Sequence, residues 1–185
     1  MRSRHGQRYN SKGEGLPVSQ VTIRHAQPFD RGSIAAVQTE SWRDAYAGVL
    51  PKEYLAGQLA LDLERHWSRV DIQPGDVVLV AEKDGIVGFV AVWCRPEPFV
   101  DNLHVKPPQR SKGVGSELMR AAARKLIRQD QTTASLWVLE SNHRALRFYE
   151  RLGGVCTGRA AKNHFGHELE SVRLVWSDLA LIVGD

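Results

Sequence analysis

Apolar positions along the chain recur with two periods, and the changes of period mark the elements. Val21-Thr22-Ile23-Arg24 alternates apolar and polar, which predicts a half-buried strand. Asp30 or Ser33 can then cap a helix holding Ile34, Val37 and Trp42. A turn-rich link over Tyr46 to Pro51 leads to a second amphipathic helix from about Glu53 to Ser68, where Leu55, Leu59, Leu63 and Trp67 make one stripe. Val77 to Lys83 and Ile86 to Trp93 are β-rich runs joined by Asp84-Gly85, the signal of a two-residue type I′ hairpin. A strand from Phe99 to Val105 gives way to a Gly-containing loop and a helix from about Val114 to Arg128. A further strand spans Ala134 to Leu139. Ser141 caps the helix after it, which closes at Gly153 as a C′ residue. Val155 to Arg159 and Glu168 to Trp176 complete the pattern as a hairpin with a long connector.

The order β-α-α-β-β-β-α-β-α-β-β is that of an α/β protein whose mixed strands carry helices on both faces. The strand at Leu103, the helix behind it and the strand at Trp137 form a βαβ crossover. Those two strands are therefore expected to be parallel neighbours, with the Gly-containing loop at the end where α/β proteins place ligands.

Composition narrows the setting. With 185 residues, 42% apolar and 25% charged, the chain reads as one domain over residues 19–180, with a tail at 181–185. No stretch offers the roughly 20 apolar residues of a membrane helix, and no apolar segment follows the charged N-terminus, so the expected location is cytoplasmic. Of the net charge of +4, +3 lies in residues 1–18, a polar basic extension read as unfolded. Charge placed there and not on a folded face argues against nucleic acid as the partner. Cys94 and Cys156 have neither metal-binding nor disulfide spacing and are read as reduced core thiols. His164-x-x-His167 lacks a third ligand, so no metal is expected.

The chemistry-bearing stretch is Gln109-Arg110-Ser111-Lys112-Gly113-Val114-Gly115-Ser116, between a strand and a helix start. Its glycines admit close approach, its amides converge and the helix dipole favours an anion, so a phosphate or pyrophosphate fits. It has no Gly-Lys-Ser/Thr, and Leu118 stands where a dinucleotide fingerprint needs its last glycine. An ordinary Gly-rich βα turn is the competing reading of these residues alone.

Arg110-x-x-Gly113-x-Gly115, preceded by Leu103-His104-Val105-Lys106-Pro107, resembles the acetyl-CoA signature of the GCN5-related N-acetyltransferase (GNAT) family. Asn142 to Gly153, with its Phe148-Tyr149 pair, resembles that family's second signature. Gly154 departs from it, standing where the family usually has an aromatic residue. The resemblance covers about residues 20–178 and implies a mixed, mostly antiparallel sheet with acetyl-CoA as co-substrate. It also implies direct transfer to an amine without metal. It makes Leu103 and Val105 the backbone donors to the thioester carbonyl, with His104 between them. The amides of Arg110, Ser111, Lys112, Gly113, Val114, Gly115 and Ser116 become the pyrophosphate cradle, with added charge from Arg110 and Lys112. Asn142 becomes a ligand of the pantetheine arm, although its position also suits a helix cap. Tyr149, which from its helix alone is a core residue, becomes the general acid to a leaving thiolate. The base is left open by the residues: Asp101 and Glu140 are the leading candidates, with Glu40 and His104 behind them. Glu40, Trp42 and Tyr46 resemble the segment that roofs the acceptor site, and a small-molecule amine is expected over a protein N-terminus or lysine. A non-catalytic acyl-CoA-binding module is the other class of reading. A homodimer through the terminal strands is compatible with the fold, but no residue marks it.

Overall fold

The run from Val77 to Ala81 contains no polar residue because helices cover its strand on both faces. The structure is a computed structural model that describes residues 20–164 and 166–184. The extension read over residues 1–18 lies outside the described residues. The elements are β1 (Thr22–His25), α1 (Arg31–Ala45), α2 (Leu59–Arg69), β2 (Val77–Glu82), β3 (Ile86–Cys94), β4 (Pro98–Val105), α3 (Val114–Ile127), β5 (Ala134–Leu139), α4 (His143–Arg151), β6 (Val155–His164), β7 (His167–Trp176) and α5 (Ala180–Val183). This is the order read from the pattern, with α5 added. One seven-stranded sheet, β1-β2-β3-β4-β5-β7-β6, holds them all, and only β4 and β5 pair in parallel.

Residues of alternating parity in β2 feed two cores. Val78 and Val80 join Phe89 of β3 under Ile34, Val37, Leu59, Leu63 and Trp67 of α1 and α2. Val77 and Leu79 join Val90 and Val92 beneath Leu118, Met119 and Leu126 of α3. The stripe read on the second helix is buried from Leu55 to Trp67. A wide π-turn over Tyr54–Gln58 precedes α2 and keeps Leu55 on the same side, where strict spacings of four would otherwise drift around an α-helix. Asp84 and Gly85 carry φ of 53° and 114°, both positive as a type I′ turn demands.

Four local expectations need correction. The last hairpin has no long connector, since β6 and β7 pair as far as His164↔His167. The part of β6 beyond Arg159 lies on the sheet edge and turns polar at Lys162 and Asn163, so it carries no hydrophobic alternation. The packed chain runs past residue 180: Leu179 and Ile182 are 0% and 2% exposed in the α3-side core, while Leu181 lies against Gly153. Cys156 is exposed on β6 and not a core thiol, while Cys94 is half-buried. Asn142, not Ser141, caps α4, with its Oδ1 accepting from Ala145 N–H at 3.1 Å.

Two polar features pin α1 to the sheet. Trp67 Nε1 donates to Gln38 Oε1 at 2.6 Å, Gln38 Nε2 donates to Asn102 Oδ1 at 2.9 Å, and Asn102 Nδ2 donates to Asp101 Oδ2 at 2.6 Å. An indole can only donate, so the orientation of both amides follows from it. Beside this chain, His104 Nδ1 lies 3.0 Å from Ser41 Oγ and its ring packs on Phe89. Burial, and then the charge of Arg110, pulls the His104 pKa down to about 3.

Gln38→Leu strands the Trp67 N–H and one Asn102 acceptor in the interior and is expected to cost about 2–4 kcal/mol, read as a lower urea midpoint at unchanged slope. His104 gives a pH signature. Its native form refuses a proton until about pH 3, whereas an unfolded imidazole binds one near pH 6.5, so the unfolded state is the better proton binder between those values. Its contribution is complete above about pH 6.5 and declines as pH falls. The stability gap between the wild type and His104→Gln is therefore expected to shrink from pH 7.5 to pH 5, and a constant gap would contradict this assignment.

Candidate active site

The sheet opens where β4 and β5 part. Their parallel ladder consists of one pair, Phe99↔Ser135. Just beyond it, β4 carries a bulge: Ala91 faces Asn102 and Val92 faces Val100, leaving Asp101 as the extra residue. Lys106 N–H bonds Val87 O at 2.8 Å, so by antiparallel alternation Leu103 and Val105 turn their N–H and C=O groups away from β3, into the opening. Val105 O there accepts from Arg110 Nε at 3.0 Å.

The loop into α3 forms the next wall. Ser111 and Gly113 have φ of 60° and 85°, a conformation that turns successive amides to one side. Among the described residues, no backbone acceptor serves the N–H groups of Ser111 to Ser116, and the first bonded amide is that of Glu117, to Gly113 O at 3.0 Å. A row of unpaired amides at the N-terminus of a 14-residue helix is a fit for a pyrophosphate. The expected cations divide. Lys112 is exposed at the loop, but the Arg110 guanidinium is turned to Val105, Ser41 and Asp44. A cation that sequence reasoning missed, Arg144 at the start of α4, reaches the loop and donates to Ser111 Oγ at 3.3 Å. Val114 is buried in the core; Gly115 lies in ordinary contact with Phe148, and Ser116 is half-buried.

Tyr149 comes from α4, is 8% exposed and packs edge-on against Phe148 and Trp176. Burial, with the Tyr46 phenol adding to it, raises its pKa and keeps it protonated. Gly154 is needed here. A Cβ at that position would come within 3.0 Å of both the Trp176 ring and Tyr149 O, which gives the departure at Gly154 a packing reason. Tyr46 is equally buried, is stacked on Trp42 at 4.4 Å, and is also held protonated by burial.

The candidate bases are dispersed. Asp101 is exposed at the bulge and accepts from Asn102. Glu140, at the end of β5, accepts from Arg159 Nε at 2.9 Å. Glu40 pairs with Lys106 at 3.6 Å, and His104 is neutral and engaged by Ser41. Glu140 also lines a cavity of about 280 Å³ with Val49, Leu139, His143, Leu169 and Glu170. Leu139 belongs to the core that includes Tyr46, so this cavity sits beside the roof segment. Among the described residues, no helix is long and apolar enough to cross a membrane.

Comparison with known proteins agrees with this geometry. Residues 35–154 match the model of the acetyltransferase (GNAT) family. The N-acetyltransferase YuaI of Bacillus subtilis is 27% identical over 171 residues, covering 88% of this chain and 96% of YuaI. In fold, the chain is similar to a GCN5-related N-acetyltransferase of Rhodopseudomonas palustris, with a TM-score of 0.70 and 22% identity over 87% of this chain and 98% of that one. It is also similar to yncA of Salmonella typhimurium, solved with its cofactor acetyl-CoA, with a TM-score of 0.60 and 21% identity over 87% of this chain and 95% of that one. Given a family match over most of the folded chain, and a parted strand pair, an unpaired amide row and a buried tyrosine at the place the motifs indicated, the chain belongs to the acetyltransferase (GNAT) family.

Proposed function

We propose that this chain transfers an acetyl group from acetyl-CoA directly to a primary amine of a small molecule. The observation that carries the reading is the opening itself: the strand amides of Leu103 and Val105 turn into it and, among the described residues, the loop amides of Ser111 to Ser116 have no backbone acceptor, while Tyr149 on α4 is buried and held protonated. Acetyl-CoA, when bound, supplies an acetyl group activated as a thioester. The loop amides, with Lys112 and Arg144, hold its pyrophosphate, and the free Asn142 Nδ2 serves the pantetheine arm while Oδ1 caps the helix. The Leu103 and Val105 amides donate to the carbonyl oxygen where negative charge develops, and a preorganised donor in a dry site is worth far more than one in water. Tyr149 holds its proton for the departing sulfur.

An alkylammonium must lose a proton before it can attack. Asp101 is the proton acceptor in this reading, because it stands at the bulge beside the opening and has no ion pair among the described residues. Glu140, drawn onto Arg159, and Glu170 instead give the cavity its negative rim, while Val49, Leu139 and Leu169 give it apolar walls. That lining suits a small cationic amine with an apolar portion.

Calorimetric titration with acetyl-CoA is expected to show binding by the wild type and none by Gly113→Asp. Aspartate tolerates the left-handed backbone there and sets a carboxylate against the pyrophosphate. Absence of binding by folded wild type would overturn the reading. Tyr149→Phe is expected to lower turnover about 10²–10⁴-fold while leaving acetyl-CoA affinity within a few-fold. A panel of amines and short peptides, followed by release of free thiol, decides the acceptor, and turnover confined to peptides would reverse the small-molecule assignment.

A further inference from the structure

Arg110 opens the Gly-rich loop and by position should face the pyrophosphate, yet its side chain is only 15% exposed and occupied at every donor group. Nε donates to Val105 O at 3.0 Å; Nη2 donates to Ser41 Oγ at 3.2 Å and lies 3.5 Å from Ser41 O; Nη1 is on the Asp44 carboxylate. These acceptors belong to two different walls of the site. Val105 O is the strand carbonyl that lost its neighbour when β5 turned away. Ser41 and Asp44 lie in the last turns of α1, on either side of Trp42 and just before Tyr46. The same Ser41 Oγ lies 3.0 Å from His104 Nδ1, whose residue sits between Leu103 and Val105 on β4. A second tie runs alongside, from Lys106 to Glu40.

We infer that Arg110 is a positioning residue and not a ligand of the donor: it braces the phosphate loop, the open edge of β4 and the roof end of α1 into one unit. This rests on the reading of the loop as the donor site. Its consequence is that occupation of the loop and the shape of the acceptor roof are coupled through one side chain. Asp44, far from the loop in sequence, acts on the loop through that side chain, and Lys112 and Arg144 carry the electrostatic work toward the anion.

The test uses the full chain as wild type, Arg110→Met, Arg110→Lys, Asp44→Asn and Arg144→Met, each measured with CoA and with pantetheine. The ratio of the two affinities isolates what the phosphate-bearing half contributes. A cation touching pyrophosphate is worth about 10–100-fold in that ratio. Arg144→Met is expected to reduce the ratio by about that factor, whereas Arg110→Met leaves it within about 3-fold while weakening both ligands alike. Arg110→Lys, which reaches part of the acceptor set, recovers part of that common loss. Hydrogen exchange supplies a readout that needs no ligand. In both Arg110→Met and Asp44→Asn, the bonded loop amides of Gln109, Arg110 and Glu117 and the amides of residues 40–46 are expected to lose protection together. A ratio that collapses about 10-fold or more in Arg110→Met, or a loop that stays protected in Asp44→Asn, overturns the assignment. Should the wild type bind neither ligand, the donor reading falls, and the exchange pattern alone decides whether Arg110 is a brace.

Discussion

A parallel strand pair that separates after one rung sets the conditions for everything around it. Inside a sheet, each strand presents N–H and C=O groups on two sides, and a side that loses its neighbour must find other partners or meet a ligand. On β4 the two outcomes alternate. The carbonyl of Val105 is taken by Arg110, while the amides of Leu103 and Val105 stay turned to the gap. The bulge at Asp101 falls next to this point, where the twist of the strand increases as it leaves its neighbour. An opening in a closed sheet is a defect unless its rim is rigid, and both helical layers supply that rigidity. On one side the chain from Trp67 through Gln38 to Asn102 holds α1 and α2 to β4. On the other, the Trp176 indole donates to Leu152 O at 2.8 Å and backs the ring of Tyr149.

Rigidity at the rim is bought with polar groups in places that are otherwise apolar. Gln38, Asn102 and His104 each occupy a buried or half-buried position between α1 and the sheet, and each is satisfied by a partner across that interface. The indole of Trp67 only donates, and the hydroxyl of Ser41 receives from Arg110 while lying against His104 Nδ1. Orientation is thereby handed from group to group across the interface. Small residues perform the complementary task. A Cβ at Gly88 would come within 3.3 Å of Leu118 and 3.0 Å of the His104 carbonyl, and Gly154 makes room for Trp176, so the helices reach positions that a methyl group would deny them.

Most of the element order was legible because burial imposes its period directly: two-sided burial gives the unbroken apolar run of β2, and the four-residue stripe marks the second helix. The hairpin at Asp84-Gly85 was legible for a different reason, since few residue pairs accept two positive φ angles in succession. What escaped had no such signature. The outer end of β6, residues 160–164, pairs through backbone groups common to every residue and has no apolar period, so it looks like a loop. The four-residue α5 is too short for a helical period to be counted. In the site, the Gly-containing loop, Asn142 and Tyr149 could be named because they lie on continuous motifs. The α1 partners of Arg110 lie 66 and 69 residues away, and only the fold brings them together. The bulge at Asp101 left no mark in the sequence, because an inserted residue breaks the count on which alternation depends.

The strand order has a bearing on how the molecule comes to exist. β7 follows β6 in the chain but lies between β5 and β6 in the sheet, so β6 has no place in the sheet until residues 167–176 are present. Trp176, at the end of that strand, is also the ring against which Tyr149 rests. A chain cut between β6 and β7 keeps every residue of the motifs, but neither the edge of its sheet nor the support of its tyrosine. One strand thus holds two others' places at once, and its removal costs the sheet two strands and Tyr149 its backing ring.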